Sequence, residues 1–297
     1  MKTLKITKSI LWGICFFLVG LTTAYGQKQK KAQHMTFDTS QTYLVKLKDE
    51  SSFTGKFIEK NDSTVLFQSK ASRMEIRLKE IEAAKVVDMG RFVNGKYWFV
   101  NPHHTRYLFS PSAYNLKAGE GYYQNIYATA QSVNYGFTDN FTLGAGTELI
   151  SLFSGFPILV VTPKLGGYDL GKNWKAGGGA IMFLSEEGGA GIGYGIATHG
   201  TEDKNITFGL GWAFSTSGDI ESRPVGTISG MYRFSKNIAF VSENWLIPVG
   251  GYEPIFSYGL RFFGEKIAVD VAFINSIDIA KEIIPIGIPY VDFVYKF

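Results

Sequence analysis

The stretch Tyr290-Val291-Asp292-Phe293-Val294-Tyr295-Lys296-Phe297 closes the chain on a strict alternation. Val291, Phe293, Tyr295 and Phe297 fall on one face of an extended segment, and Asp292 and Lys296 on the other, because successive side chains of a strand point to opposite sides. An aromatic outer face with charges confined to the inner one suits a strand with lipid outside and a polar interior within.

The same period of two recurs upstream. Ile206, Phe208, Leu210, Trp212 and Phe214 share a face against Thr207, Gly209, Gly211, Ala213 and Ser215. Phe141, Leu143, Ala145 and Leu149 stand against Thr142, Gly144, Gly146 and Glu148, and Phe256, Tyr258, Leu260 and Phe262 against Ser257, Gly259 and Arg261. A soluble sandwich has this period too. The Gly, Ser, Thr and Ala opposite the apolar face favour a narrow polar lumen over a solvated sheet surface. Aromatic content of 15% with 34 glycines points the same way.

Connections alternate in length. Short ones fall at 138–140, 171–173, 235–237 and 264–266, rich in the Asn, Asp and Gly that tolerate hairpin backbone angles. Longer ones fall at 152–157, 185–189, 215–224, 248–254 and 275–285, and 199–205 is long for a turn on the short side. This gives about eleven strands from Gly121 onward. A further strand at Arg106–Ser110, turning at 117–120, brings the count to about twelve (10–12), the even parity of bacterial barrels. The expected fold is all-β, an antiparallel transmembrane barrel over 106–297. Both ends of the barrel segment are expected on the short-turn side.

The terminal strand resembles the recognition strand that barrel-assembly machinery reads in outer-membrane proteins, carried here by Val291, Phe293, Tyr295 and Phe297. Residues 106–297 as a whole resemble a Gram-negative outer-membrane barrel. The resemblance implies outer-membrane lipid and that machinery as partners.

Upstream, Lys2, Lys5 and Lys8, the apolar run Ile10–Leu21, and Ala24-Tyr25-Gly26 form the three regions of a signal peptide over 1–26. The sole cysteine, Cys15, lies in the apolar run, so the mature chain is expected to have no thiol chemistry. Removing the three lysines leaves 27 basic residues from 30, against 26 acidic ones. That balance excludes a nucleic-acid role based on charge.

A polar leader over 27–40 precedes a small β-domain at 41–88, then a linker at 89–105. Short strands are expected at 43–47, 53–59, 65–68 and 74–78, with 81–87 ending the unit. The pattern VKLKDESSFTGKFIEKND, 45–62, resembles Sm-like or SH3-like small barrels. Sm-like proteins bind RNA, but in an exported chain without a basic patch a periplasmic docking module with its own partner is the better expectation.

No residue set carries catalysis. A Ser–His mechanism needs the imidazole within hydrogen-bond reach of the hydroxyl. None of His34, His103, His104 and His199 accompanies a Ser or Asn on a lipid-facing strand. The His103-His104 pair has no third ligand at useful spacing, and Gly177-Gly178-Gly179 does not precede a helix as a phosphate loop must. No cofactor or metal is expected.

The candidate site is the lumen: Glu148, Lys164, Arg233, Glu243, Arg261, Asp270, Asp292 and Lys296. Its signs are balanced, which favours salt bridges filling a narrow barrel over a selective pore. The expected function is non-enzymatic, either passage of small solutes or a structural and docking role. A lipid-modifying barrel enzyme and a secreted soluble β-protein are the alternatives.

Overall fold

The computed structural model describes residues 36–69, 72–93, 96–248 and 250–297. The expected signal peptide and most of the expected leader lie outside the described residues. The chain divides into two compact units, Met1–Trp98 and Phe99–Phe297. Among the described residues no helix is long and apolar enough to cross a membrane.

The first unit is a five-stranded antiparallel sheet of β1 (Thr42–Leu47), β2 (Ser52–Lys60), β3 (Thr64–Gln68), β4 (Arg73–Arg77) and β5 (Ile81–Val86), in the order β4-β3-β2-β1-β5. Gly55 in β2 stands where a Cβ would come within 2.9 Å of the Phe67 Cβ, so glycine lets the sheet fold over its core. That core is Val45, Val65 and Phe67, none of them exposed, with Tyr43, Phe57, Leu78 and Ile81 around them. The Phe67 ring lies 5.6 Å from Phe53 and 5.7 Å from Phe37. Phe67→Ala should cost about 3–5 kcal/mol, comparable with the whole stability of so small a unit. Limited proteolysis of the full chain should then cut between residues 36 and 98 while the barrel keeps its heat-modifiable gel mobility. Unchanged protease resistance would refute this. A 3-10 turn (Met89–Arg91) and a short hairpin, β6 (Phe92–Val93) with β7 (Lys96–Tyr97), finish the unit.

The second unit is a closed antiparallel barrel of twelve strands. They are β8 (Gly121–Ile126), β9 (Ala130–Gly136), β10 (Phe141–Glu148), β11 (Leu159–Gly171), β12 (Trp174–Ser185), β13 (Gly188–Gly200), β14 (Lys204–Ser215), β15 (Val225–Ser235), β16 (Ile238–Ile247), β17 (Glu253–Phe263), β18 (Ile267–Ser276) and β19 (Ile288–Lys296). β19 pairs with β8, Lys296 opposite Tyr122, and closes the ring. Gly121 and Phe297 exchange both backbone hydrogen bonds, at 3.0 and 2.9 Å, so the barrel's first and last strands share one end. That end also carries the tight turns.

The strand total agrees with the expectation, but two of its parts do not. Arg106–Ser110 is not a barrel strand, and the barrel begins at Gly121. Tyr107 N–H donates to the Ser110 carbonyl at 2.9 Å, closing a tight turn, and Pro111 follows, which cannot donate to a ladder. The twelfth strand comes instead from splitting Gly121–Gly136 at Tyr127 and Ala128, whose φ values are 52° and 62°. Thr129 N–H donates to the Ile126 carbonyl at 3.1 Å, closing a turn whose two central residues take this left-handed backbone. Here Tyr and Ala supply it rather than Gly or Asn. The 199–205 connection is shorter than it reads, because β13 runs to Gly200 and β14 starts at Lys204.

The outer face is apolar and exposed around the wall. Ile206, Phe208, Leu210 and Trp212 on β14, Phe256, Tyr258, Leu260 and Phe262 on β17, and Val291 and Phe293 on β19 are all exposed. Alternate residues on the same strands, such as Thr207, Ser257, Arg261 and Asp292, are buried.

Candidate functional site: a filled lumen

The barrel interior is occupied by the chain itself. Residues 99–116, the segment that precedes β8, run through the lumen. Asn101, His103, Thr105, Arg106, Tyr107, Leu108, Ala113 and Leu116 are buried there. We refer to this segment as the plug. Residues 99–105 of the linker expected at 89–105, and the strand expected at 106–110, therefore pack inside the barrel.

Two tight features build the contact with the wall. At the plug's tip the N–H groups of Leu108, Phe109 and Ser110 all donate to one Glu243 carboxylate oxygen, each at 2.9 Å. The other oxygen accepts the Trp245 indole N–H at 2.7 Å. Consecutive N–H groups in a turn converge in this way and form an anion-binding concavity. A buried carboxylate is tolerated only when its acceptor capacity is met.

The second feature is an ion cluster. Asp270 on β18 faces Asp292 on β19 directly across the ladder, and both are fully buried. Two like charges side by side would repel. Arg261 makes a bidentate pair with Asp270, both bonds at 2.7 Å. Arg106 of the plug bonds both carboxylates, at 3.2 Å to Asp270 and 3.0 Å to Asp292. Arg261 also donates to the carbonyls of His103, Arg106 and Tyr107 at 2.9, 3.2 and 2.7 Å. Wall and plug thus share charges and hydrogen bonds, while Asp292 Oδ1 and Arg106 Nε and Nη2 are buried without a hydrogen-bond partner.

The remaining contacts surround the plug. Lys164 on β11 donates to the carbonyls of Thr105 and Tyr114, at 3.2 and 2.5 Å. The Tyr107 hydroxyl bonds Asn205 and Thr207 on β14, both at 2.6 Å. Ala113 N–H donates to Thr198 on β13 at 2.8 Å, and Gln124 on β8 donates to Asp292 at 2.7 Å. Arg233 bonds the Phe99 carbonyl at 2.8 Å and Asp203 at 2.7 Å.

Among the expected lumen residues, Lys164, Glu243, Arg261, Asp270 and Asp292 converge on the plug, and Arg233 meets its start. Lys296 lies at the chain-end rim, paired with Glu120 at 3.1 Å. The Glu120 carboxyl sits below its ordinary range. Partial burial pushes it up, but the Lys117 N–H and the Lys296 ammonium outweigh that. Glu148 does not join the cluster. Its carboxylate caps the short helix Leu149–Phe153, accepting from Ile150 N–H at 2.9 Å and Ser151 N–H at 2.7 Å.

The sequence reading missed Arg106, Tyr107 and the backbone of 108–110. Pro102 and Pro111 bracket them, and those prolines were the available sign that 103–110 does not belong to a ladder.

The three described histidines do not converge on one site. His103 is buried in the plug. The Nδ1 of His104 contacts the Asn101 carbonyl at 2.6 Å. His199 lies on β13 against Trp174, ring centroids 4.8 Å apart.

No family model and no curated protein matches the chain. Among solved structures, one similar chain is the KdgM porin in complex with disordered oligogalacturonate. It is 11% identical, with 60% of this chain and 96% of that one covered, at a TM-score of 0.43. The NanC porin is 11% identical over 60% of this chain and 97% of its own, at 0.39. An outer membrane protein of Vibrio cholerae, OmpT lacking its loop L8, is 14% identical over 86% and 96%, at 0.31.

Proposed function

We propose that this protein is a non-enzymatic outer-membrane barrel closed by its own plug. It would serve as a membrane anchor and docking platform, with the five-stranded unit as a periplasmic module for a partner protein. One observation carries the closed-barrel reading. Buried wall charges on several strands, Lys164, Glu243, Arg261, Asp270 and Asp292, bond the plug backbone or Arg106. A barrel built for free solute passage would leave such groups to water.

Membrane residence is supported by the exposed apolar outer face. A continuous band of this kind on a soluble protein would be an aggregation surface. The signal-peptide pattern at 1–26 and the terminal aromatic strand add export and assembly to the reading. Among the described residues no Ser–His pair stands on the outer face of the wall to favour the enzyme alternative.

The test is electrical. Full-length protein in planar lipid bilayers should show no stepwise conductance, while its presence in the membrane is confirmed by heat-modifiable mobility of the recovered protein. Sustained channel openings by the unmodified chain would overturn the closed-barrel reading. Recovery of the native protein wholly in the soluble fraction would overturn the membrane reading.

A further inference from the structure

The plug encloses one titratable side chain that its contacts with the wall do not use. His103 is 1% exposed, and neither of its ring nitrogens has a hydrogen-bond partner among the described residues. Its backbone is pinned on both sides. The His103 N–H donates to Asn101 Oδ1 at 3.0 Å, and its carbonyl accepts from Arg261 of β17 at 2.9 Å. The ring therefore stays enclosed as long as the plug keeps these bonds. The charged and titratable groups that act on it most strongly are all basic: Arg106 and His104 of the plug, Arg261 of β17 and Lys296 of β19. The buried carboxylates of the ion cluster, Asp270 and Asp292, are already held by Arg261 and Arg106.

A buried charge is tolerated only where it is paired. A proton on this ring would create an imidazolium with two N–H donors, no acceptor, and guanidinium groups for neighbours. Burial and like charge both oppose that form. Histidine is also the side chain whose ordinary titration falls between about pH 5 and 8. We infer that His103 makes the closed plug acid-sensitive: proton uptake by its imidazole loosens residues 99–116 from the barrel wall. The sign follows from the two states. Enclosed, the imidazole stays neutral. Released to water, it takes up a proton below about pH 6.5. The loosened plug then binds one more proton than the closed one, so acid costs the closed form about tenfold in relative population per pH unit. Above that range the ring is neutral in both states and the effect vanishes. The inference rests on the closed-barrel reading, whose test is conductance at neutral pH. Exchange of the plug's amides against pH can fail separately.

The measurement is hydrogen–deuterium exchange of the full-length protein in phosphatidylcholine nanodiscs, from about pH 7.5 to about pH 5, a range that stops above the ordinary carboxylate values. Protection factors remove the intrinsic pH dependence of exchange. Peptides covering residues 99–116 should lose protection about thirtyfold across the range, while peptides from β13 and β14 keep theirs. His103→Phe and His103→Gln remove the titrating group, and heat-modifiable mobility verifies that each folds. Plug protection in both should be independent of pH. Wild-type plug protection that does not fall with acid would overturn the inference. So would a fall of the same size in either folded variant, or an equal loss in β13 and β14, which would mark loosening of the whole barrel.

Discussion

Arg261→Ala is expected to lower the stability of the barrel by about 3–5 kcal/mol, the cost of leaving a buried charge without its partner. The residue is fully buried on β17. Its loss removes both bonds to Asp270 and the donors to three plug carbonyls. Asp270 and Asp292, adjacent across the ladder, would then share Arg106 as their one bonded cation, with Gln124 and Tyr290 donating to Asp292. Lysine does not repair this, because a point ammonium cannot hold a carboxylate in two parallel bonds and reach the plug as well. The measurement is urea-induced unfolding in lipid vesicles, followed by loss of the compact gel form. A midpoint within error of wild type for Arg261→Ala would show that water meets these groups and that the cluster is not structural. Replacing Arg261 and Asp270 together by apolar residues should recover part of the loss, since neither charge is then stranded.

Removal of residues 101–116 is expected to turn a silent barrel into a conducting one. A twelve-stranded barrel emptied of its segment exposes Lys164, Glu243, Arg261, Asp270 and Asp292 to water. Single-channel recordings should change from no steps to resolved steps. The ionic selectivity should be weak, because the exposed charges are of both signs. Ser229 is a second reporter. It is buried against Ser110, with hydroxyls 2.9 Å apart, and the mature chain is expected to have no other thiol. Ser229→Cys should react slowly with a water-soluble maleimide in the full chain and rapidly once the plug is deleted. A deletion variant that folds, stays silent and remains unreactive would mean that the lumen closes without the plug.

These outcomes depend on a feature that alternation could not reveal. Strand signals are local. Ile206–Phe214 and Tyr290–Phe297 announce themselves because every second side chain falls on the apolar outer face or in the lumen. The inward residues Glu243, Arg261, Asp270 and Asp292 are legible for the same reason, since an ionised group avoids an apolar face. Arg106 was not, because apolar Tyr107 and Leu108 beside it look like one more strand. Tyr127 and Ala128 were missed because a left-handed turn there rests on neighbouring strand pairing rather than on a Gly or Asn. The two misreadings offset each other, so the strand total agreed for partly wrong reasons.

The alternating pattern alone therefore determined the barrel class, the outward face and the identity of most lumen charges, because each follows from one residue's preference for oil or water. The tertiary structure decided what those charges are for. Arg106 meets Asp292 across 186 residues, and Glu243 meets the Leu108 N–H across 135. Pairings at that separation exist only once the ring has closed around the plug. The terminal strand is thus both outer wall and inner lock: Phe293 faces outward, and Asp292 helps hold the plug.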